Sequence, residues 1–187
     1  MDKTRRMSAA AYRRAVCGGH AEKSYKNRQS NDKGRIFENL IKKGCQYYAL
    51  HKKAVINKVN EPYICTKVLD GGSFVGRFTG RAEPDFKGVL KGGRAIAFEA
   101  KSTQKPSIQR SILTSEQMQW LEEQKDMGAL TYVCVSLQDK FFMVPWQRWR
   151  DMKLHYGRNY LTAADIPEFE VIFDGSVRFL EYVTVKE

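Results

Sequence analysis

Apolar residues recur along the chain with two rhythms, one near three to four residues and one of two. Phe37, Leu40, Ile41 and Tyr48 fall at near-helical spacing in a stretch opening at Gly34, which predicts a helix over about 33–51. Residues 54–59 then read as a strand. Two β-rich runs, 63–69 and 74–79, are separated by Asp70-Gly71-Gly72 and bounded by Pro62 and Pro84, so a hairpin is predicted across 60–84. Strands at 85–90 and 94–101 join through Lys91-Gly92-Gly93. A polar stretch, 102–110, leads to a helix from Thr114 to Met127 that stops at Gly128. Strands are predicted at 130–137 and 140–144, an amphipathic helix at 146–156, and short strands near 169–173 and 178–185. No segment repeats. Helices interleaved with strands in this order predict an α/β fold (α+β mixed sheet) around one core.

Composition narrows the class. With 187 residues, 42% hydrophobic and 12% aromatic, the chain can bury a core without disulfide or metal staples. No apolar run approaches the ~20 residues needed to cross a bilayer, and the residues after Met1 hold no signal-peptide core. The expectation is therefore a soluble, cytoplasmic protein. Cys17, Cys45, Cys65 and Cys134 and the three histidines are scattered without metal-ligand spacing, which argues for reduced thiols and against zinc. Any metal would be held by carboxylates. The 32 Lys and Arg outnumber the 21 Asp and Glu by 11. A charge of that size implies a polyanionic partner, nucleic acid before membrane. Residues 1–30 carry eight of the basic side chains, Arg5, Arg6, Arg13 and Arg14 among them, against two acids. They read as a flexible basic arm, either an ordinary solvated terminus or one that clamps phosphates, ahead of a folded domain at 31–187.

The candidate chemistry lies between Pro84-Asp85 and Glu99-Ala100-Lys101. In a strand over 94–101, Ile96, Phe98 and Ala100 share one face, and Ala97, Glu99 and Lys101 the other. The second face ends in an acid and a base. A loop of three residues, 91–93, would set Leu90 opposite Arg94 and Asp85 opposite Glu99, their Cβ atoms about 4.5–5.5 Å apart. A two-residue loop would turn Asp85 to the other face. Two neighbouring carboxylates suit a hard divalent cation such as Mg²⁺, with Lys101 adding positive charge. The bland alternatives are a turn acid at Asp85 and a weak ion pair between Glu99 and Lys101. Glu38, bordering the apolar stripe of the first helix, reads either as a border residue or as a third carboxylate. Thr114-Ser115-Glu116-Gln117 matches a capping box, with Leu113 and Met118 as its hydrophobic staple, so spacing favours a structural Gln117. Trp120, Trp146 and Trp149 read as core or interface residues.

These residues resemble the RecU-type Holliday junction resolvases of the restriction-endonuclease-like nuclease superfamily. The resemblance runs through Gly34-x-x-x-Glu38, Tyr47-Tyr48, Ala54-Val55-Ile56-x-Lys58, Asp85-Phe86-x-Gly88, Phe98-Glu99-Ala100-Lys101-x-Thr103, Gln117 and the strand after Gly128, over roughly 34–167. It implies a homodimeric, Mg²⁺-dependent endonuclease (Mn²⁺ being the other candidate ion) that nicks two opposing strands of a four-way DNA junction. Asp85, Glu99 and Glu38 would be the metal ligands, Lys101 the catalytic lysine and Gln117 a further active-site residue. The 60–84 hairpin would be the projecting stalk, with Lys58, Lys67, Arg77 and Arg81 contacting DNA. The chain departs from the family in having Glu116 where histidine is common before the glutamine, and in a shorter, glycine-richer stalk. Two other readings share the charge: another restriction-like endonuclease of flap or repair type, and a noncatalytic DNA-binding recombination accessory protein.

Overall fold

A computed structural model describes residues 32–60, 63–69, 71, 73–78 and 83–184. Arg5, Arg6, Arg13, Arg14 and Arg81 lie outside the described residues, as does the basic arm. The sheet belongs to the compact unit Phe37–Glu187.

Five strands form that sheet in the order β1-β4-β5-β7-β8. They are β1 (Ala54–Lys58), β4 (Phe86–Leu90), β5 (Ala95–Thr103), β7 (Leu130–Leu137) and β8 (Lys140–Pro145). Neighbours run antiparallel except β5 and β7, which are parallel. The parallel pair needs a crossover, supplied by helix α2 (Ser115–Asp126). Helix α1, residues 32–50, lies on the opposite face. Its stripe of Phe37, Ile41, Cys45 and Tyr48 packs on Ile56, Phe86, Ile96 and Phe98. On the α2 side, Leu121 packs with Val133, Val135, Trp146 and Trp149. Each large apolar side chain buried in these two layers contributes about 1.5–3 kcal/mol. Both layers bury β7, which is buried without a break from Thr131 to Leu137.

Two glycines mark close approaches. A Cβ at Gly44 would overlap the Val177 carbonyl, and one at Gly88 would overlap the Val55 carbonyl and Ile56. Gly88 thus lets β4 lie tightly against β1. Gly92 and Gly93 both have positive φ, 98° and 93°, and turn the β4–β5 loop.

The hairpin of β2 (Tyr63–Val68) and β3 (Phe74–Phe78) forms its own two-stranded sheet. A bulge lies between Cys65 and Lys67, and Thr66 Oγ1 donates to Val75 O at 3.0 Å. Its flanks, Ile64, Val68, Phe74 and Val75, are exposed.

The C-terminal third departs from the pattern-based expectation. Asp151, at φ −94° and ψ 26°, splits the helix expected at 146–156 into α3 (Trp146–Arg150) and α4 (Met152–Tyr156). The strand expected at 178–185 is instead helix α5 (Phe179–Thr184). Phe179 and Leu180 are adjacent yet both buried, which a strand with alternating faces does not achieve; the Leu180 N–H donates to the Tyr48 hydroxyl at 3.0 Å. Near 169–173 the chain forms a 3₁₀ turn, Pro167–Phe169, and single bridges. Conversely, the polar stretch after β5 contains β6 (Ser107–Gln109), paired with β9 (Tyr160–Thr162).

Candidate active site

The β4–β5 register is the one a three-residue loop requires. Leu90 N–H donates to Arg94 O at 2.9 Å and Gly93 N–H to Leu90 O at 3.0 Å. The ladder pairs Phe86 with Phe98 and Lys87 with Ala97, so Asp85, one residue before β4, continues opposite Glu99. The strand alternation does the rest: Phe86 and Phe98 stack in the α1-side core, which sends Asp85 and Glu99 to the α2 side. Asp85 is also anchored, its Oδ2 accepting the Ala100 N–H at 2.8 Å.

Glu99 is a buried acid, only 1% exposed. Burial, and then the neighbouring Asp85 carboxylate, push its pKa up to about 8, with Lys101 partly offsetting both. Two donors converge on a single oxygen: Gln117 Nε2 reaches Glu99 Oε2 at 2.7 Å and Lys101 Nζ reaches the same atom at 3.1 Å. The Glu99–Lys101 contact thus has one partner wholly buried, where spacing alone allowed a weak same-face pair.

Gln117 serves in two places. Its Oε1 accepts the Thr114 N–H at 3.1 Å, and its own N–H donates to Thr114 Oγ1 at 3.3 Å. The capping box read from sequence is therefore present, and the same side chain reaches the acid pair. Spacing alone offered these as alternatives, because it says nothing about which end of the amide each neighbour holds.

Glu38 is not brought to the pair. Its carboxylate is taken by Lys58 in a half-buried ion pair. Lys58 continues the Ala54–Ile56 face of β1, which packs toward α1. That is the side of the sheet opposite Glu99. Among the described residues no group of three His, Cys, Asp or Glu is placed to hold an ion. Of the three expected carboxylates, the structure sets Asp85 and Glu99 side by side, while Glu38 is paired with Lys58. Lys58 stays close through the backbone, since it pairs with Phe86 and the next residue, Val59, donates its N–H to Asp85 O at 2.9 Å.

On the hairpin, Lys67 pairs with Val75 and Ile64 with Arg77. Directly opposed residues share a face, so Lys67 and Arg77 lie together, with Val68 and Phe74 on the other side. Glu116 is exposed in the first turn of α2, where a negative charge complements the helix dipole. No helix among the described residues is long and apolar enough to cross a membrane.

A family model described as Recombination protein U matches residues 32–185. No curated protein matches the chain. Among solved structures the chain is similar to Hjc, a Holliday junction resolvase from the archaeal hyperthermophile Archaeoglobus fulgidus. That match has 15% identity over 68% of this chain and 89% of that one, with a TM-score of 0.42.

Proposed function

The chain belongs to the RecU family, Recombination protein U, and on that premise we propose that it resolves four-way DNA junctions with Asp85, Glu99 and Lys101 as its catalytic group. Membership makes it a Holliday junction resolvase, hence a nuclease acting in DNA recombination. Resolvases of this family are metal-dependent. The finer assignments, Mg²⁺ as the ion, these residues as the site and a homodimer as the working form, are our proposal.

The observation that carries it is the Asp85–Glu99 pair with Lys101 within 3.1 Å of Glu99. Two carboxylates held together, one of them buried and resisting ionisation, fit a hard divalent cation, because a bound positive charge relieves both the mutual repulsion and the desolvation. Asp85 and Glu99 would hold the ion. When bound, it supplies positive charge to the phosphodiester and a more acidic water for the attack. The protein's own groups do the remaining work. Lys101, fixed on Glu99 Oε2, brings an ammonium to where charge grows on the phosphoryl oxygens. Gln117 restrains Glu99 through the same oxygen. Asp85 is held by the Ala100 N–H, so neither acid needs to reorganise during the reaction.

Recognition is electrostatic and geometric. The net charge of +11 serves phosphate contacts that position without reading sequence. Lys58, Lys67, Arg77 and Arg81 on and beside the hairpin, and Arg5, Arg6, Arg13 and Arg14 in the arm, are the proposed contacts. Two nicks placed symmetrically in one junction need two sites, hence two copies. The test is cleavage of four-way junction, plain duplex and flap DNA with Mg²⁺ and with chelator. Paired nicks in the junction, Mg²⁺-dependent and absent from duplex, are expected; equal cutting of duplex would defeat the junction reading, and cutting in chelator the metal reading.

A further inference from the structure

An amide has two unlike ends, and at Gln117 both are committed. The Thr114 N–H can be met only by an acceptor, so it takes the amide oxygen, at 3.1 Å. The nitrogen must then face the other way, and there it meets Glu99 Oε2 at 2.7 Å. Were the amide reversed, an N–H would oppose the Thr114 N–H, and Glu99 Oε2 would lose the amide donor it now accepts from. The capping box therefore sets the polarity of the contact on Glu99.

What holds the box is local. Thr114 lies just before α2 with extended backbone, φ −72° and ψ 163°, the geometry that presents an N-cap to the third helical residue. Its hydroxyl accepts the Gln117 N–H at 3.3 Å. Leu113 and Met118 on either side enter the same core, fixing the entry of the chain into the helix. A site residue is thus carried on a helix start defined by Leu113, Thr114, Gln117 and Met118, and its second function uses the atom that the cap leaves over.

We propose that Thr114 is a positioning residue: by holding the first turn of α2 and the amide oxygen of Gln117, it aims the amide nitrogen at Glu99 and fixes that carboxylate for the ion. The inference rests on Glu99 being a metal ligand. Without the hydroxyl, the Gln117 N–H loses its side-chain partner, the extended backbone at 114 is no longer held, and the amide can turn. Glu99 then keeps only Lys101 among the two donors on Oε2. Outer-shell partners of metal ligands typically contribute 10–100-fold in affinity. Because Thr114 acts through Gln117, the low end of that range, roughly tenfold, is expected.

The experiment compares the full chain with Thr114→Val, Thr114→Ser and Thr162→Ala, the last breaking the unrelated capping box that Thr162 makes with Asp165. Mn²⁺ affinity is read by calorimetric titration, and the exchange rate of the Gln117 side-chain NH₂ protons by NMR in metal-free protein. Thr114→Val should weaken Mn²⁺ binding roughly tenfold and speed Gln117 exchange. Thr114→Ser should restore both, and Thr162→Ala should lower the melting temperature while changing neither. Unchanged Gln117 exchange in Thr114→Val overturns the proposal whether or not the ion binds, as does an equal loss of Mn²⁺ affinity in Thr162→Ala. Wild-type protein that takes up no Mn²⁺, with Gln117 exchange still dependent on the Thr114 hydroxyl, would instead defeat the metal reading while upholding Thr114 as the residue that positions the amide.

Discussion

Glu99 concentrates the cost and the use of this site in one side chain. In a metal-free protein the fold favours its protonated form, with a pKa of about 8 against 4.5 when unfolded. A raised folded pKa contributes stability below the unfolded value, lost as pH rises through the folded one. Stability in chelator should therefore fall between about pH 4.5 and pH 8, by an amount bounded at roughly 5 kcal/mol. Glu99→Gln, which keeps an acceptor for Gln117 and Lys101, should remove most of that slope; a flat wild-type profile in a thermal melt would show that the acid ionises freely. Much of this was legible in the chain. Strand alternation placed Glu99 and Lys101 on one face, and the Lys-Gly-Gly loop, if counted as three residues, placed Asp85 opposite. What periodicity could not supply was the partner of Glu38. A residue bordering a helical stripe reaches whichever charge the neighbouring strand offers, and β1 offers Lys58. The sharing of Gln117 between cap and site was equally hidden, because it depends on where α2 lands over β5.

Elements were readable where one rhythm dominated. The β4–β5 hairpin, the hairpin at 63–78 and α2, with cap and glycine stop, follow local rules of turn chemistry and capping. The end of the chain did not, because Phe179 and Leu180 are buried together by long-range packing against Tyr48 and Phe98, which no local pattern announces. Gly88 shows the same dependence. Its residue type looks like a weakness in a strand, and only the approach of β1 explains it. Gly88→Ala should force β1 and β4 apart at a cost of about 1–3 kcal/mol, measurable as a lower urea midpoint. Cleavage should fall with it, since Asp85 stands just before β4 and is tied to Val59. A midpoint equal to wild type would mean that the two strands relax without strain.

For the molecule as a whole, charge decides how DNA is reached and the acid pair what happens there. The arm holds a net +6 of the total +11, from eight basic and two acidic residues in 1–30. Each phosphate contact contributes about 0.9 to the slope of log affinity against log salt. Deleting residues 1–30 should weaken junction binding and flatten that slope by several units, as followed by mobility shift across a salt series. An unchanged slope would remove the arm from the interface.

In the proposed enzyme two carboxylates from neighbouring strands carry the chemistry while the positive surface carries the binding. The most direct measurement is junction cleavage and junction binding, side by side, by Asp85→Asn and Glu99→Gln. Both variants should bind as wild type does and lose at least about 100-fold in cleavage. Full cleavage by either one would contradict the assignment of these two acids to the reaction.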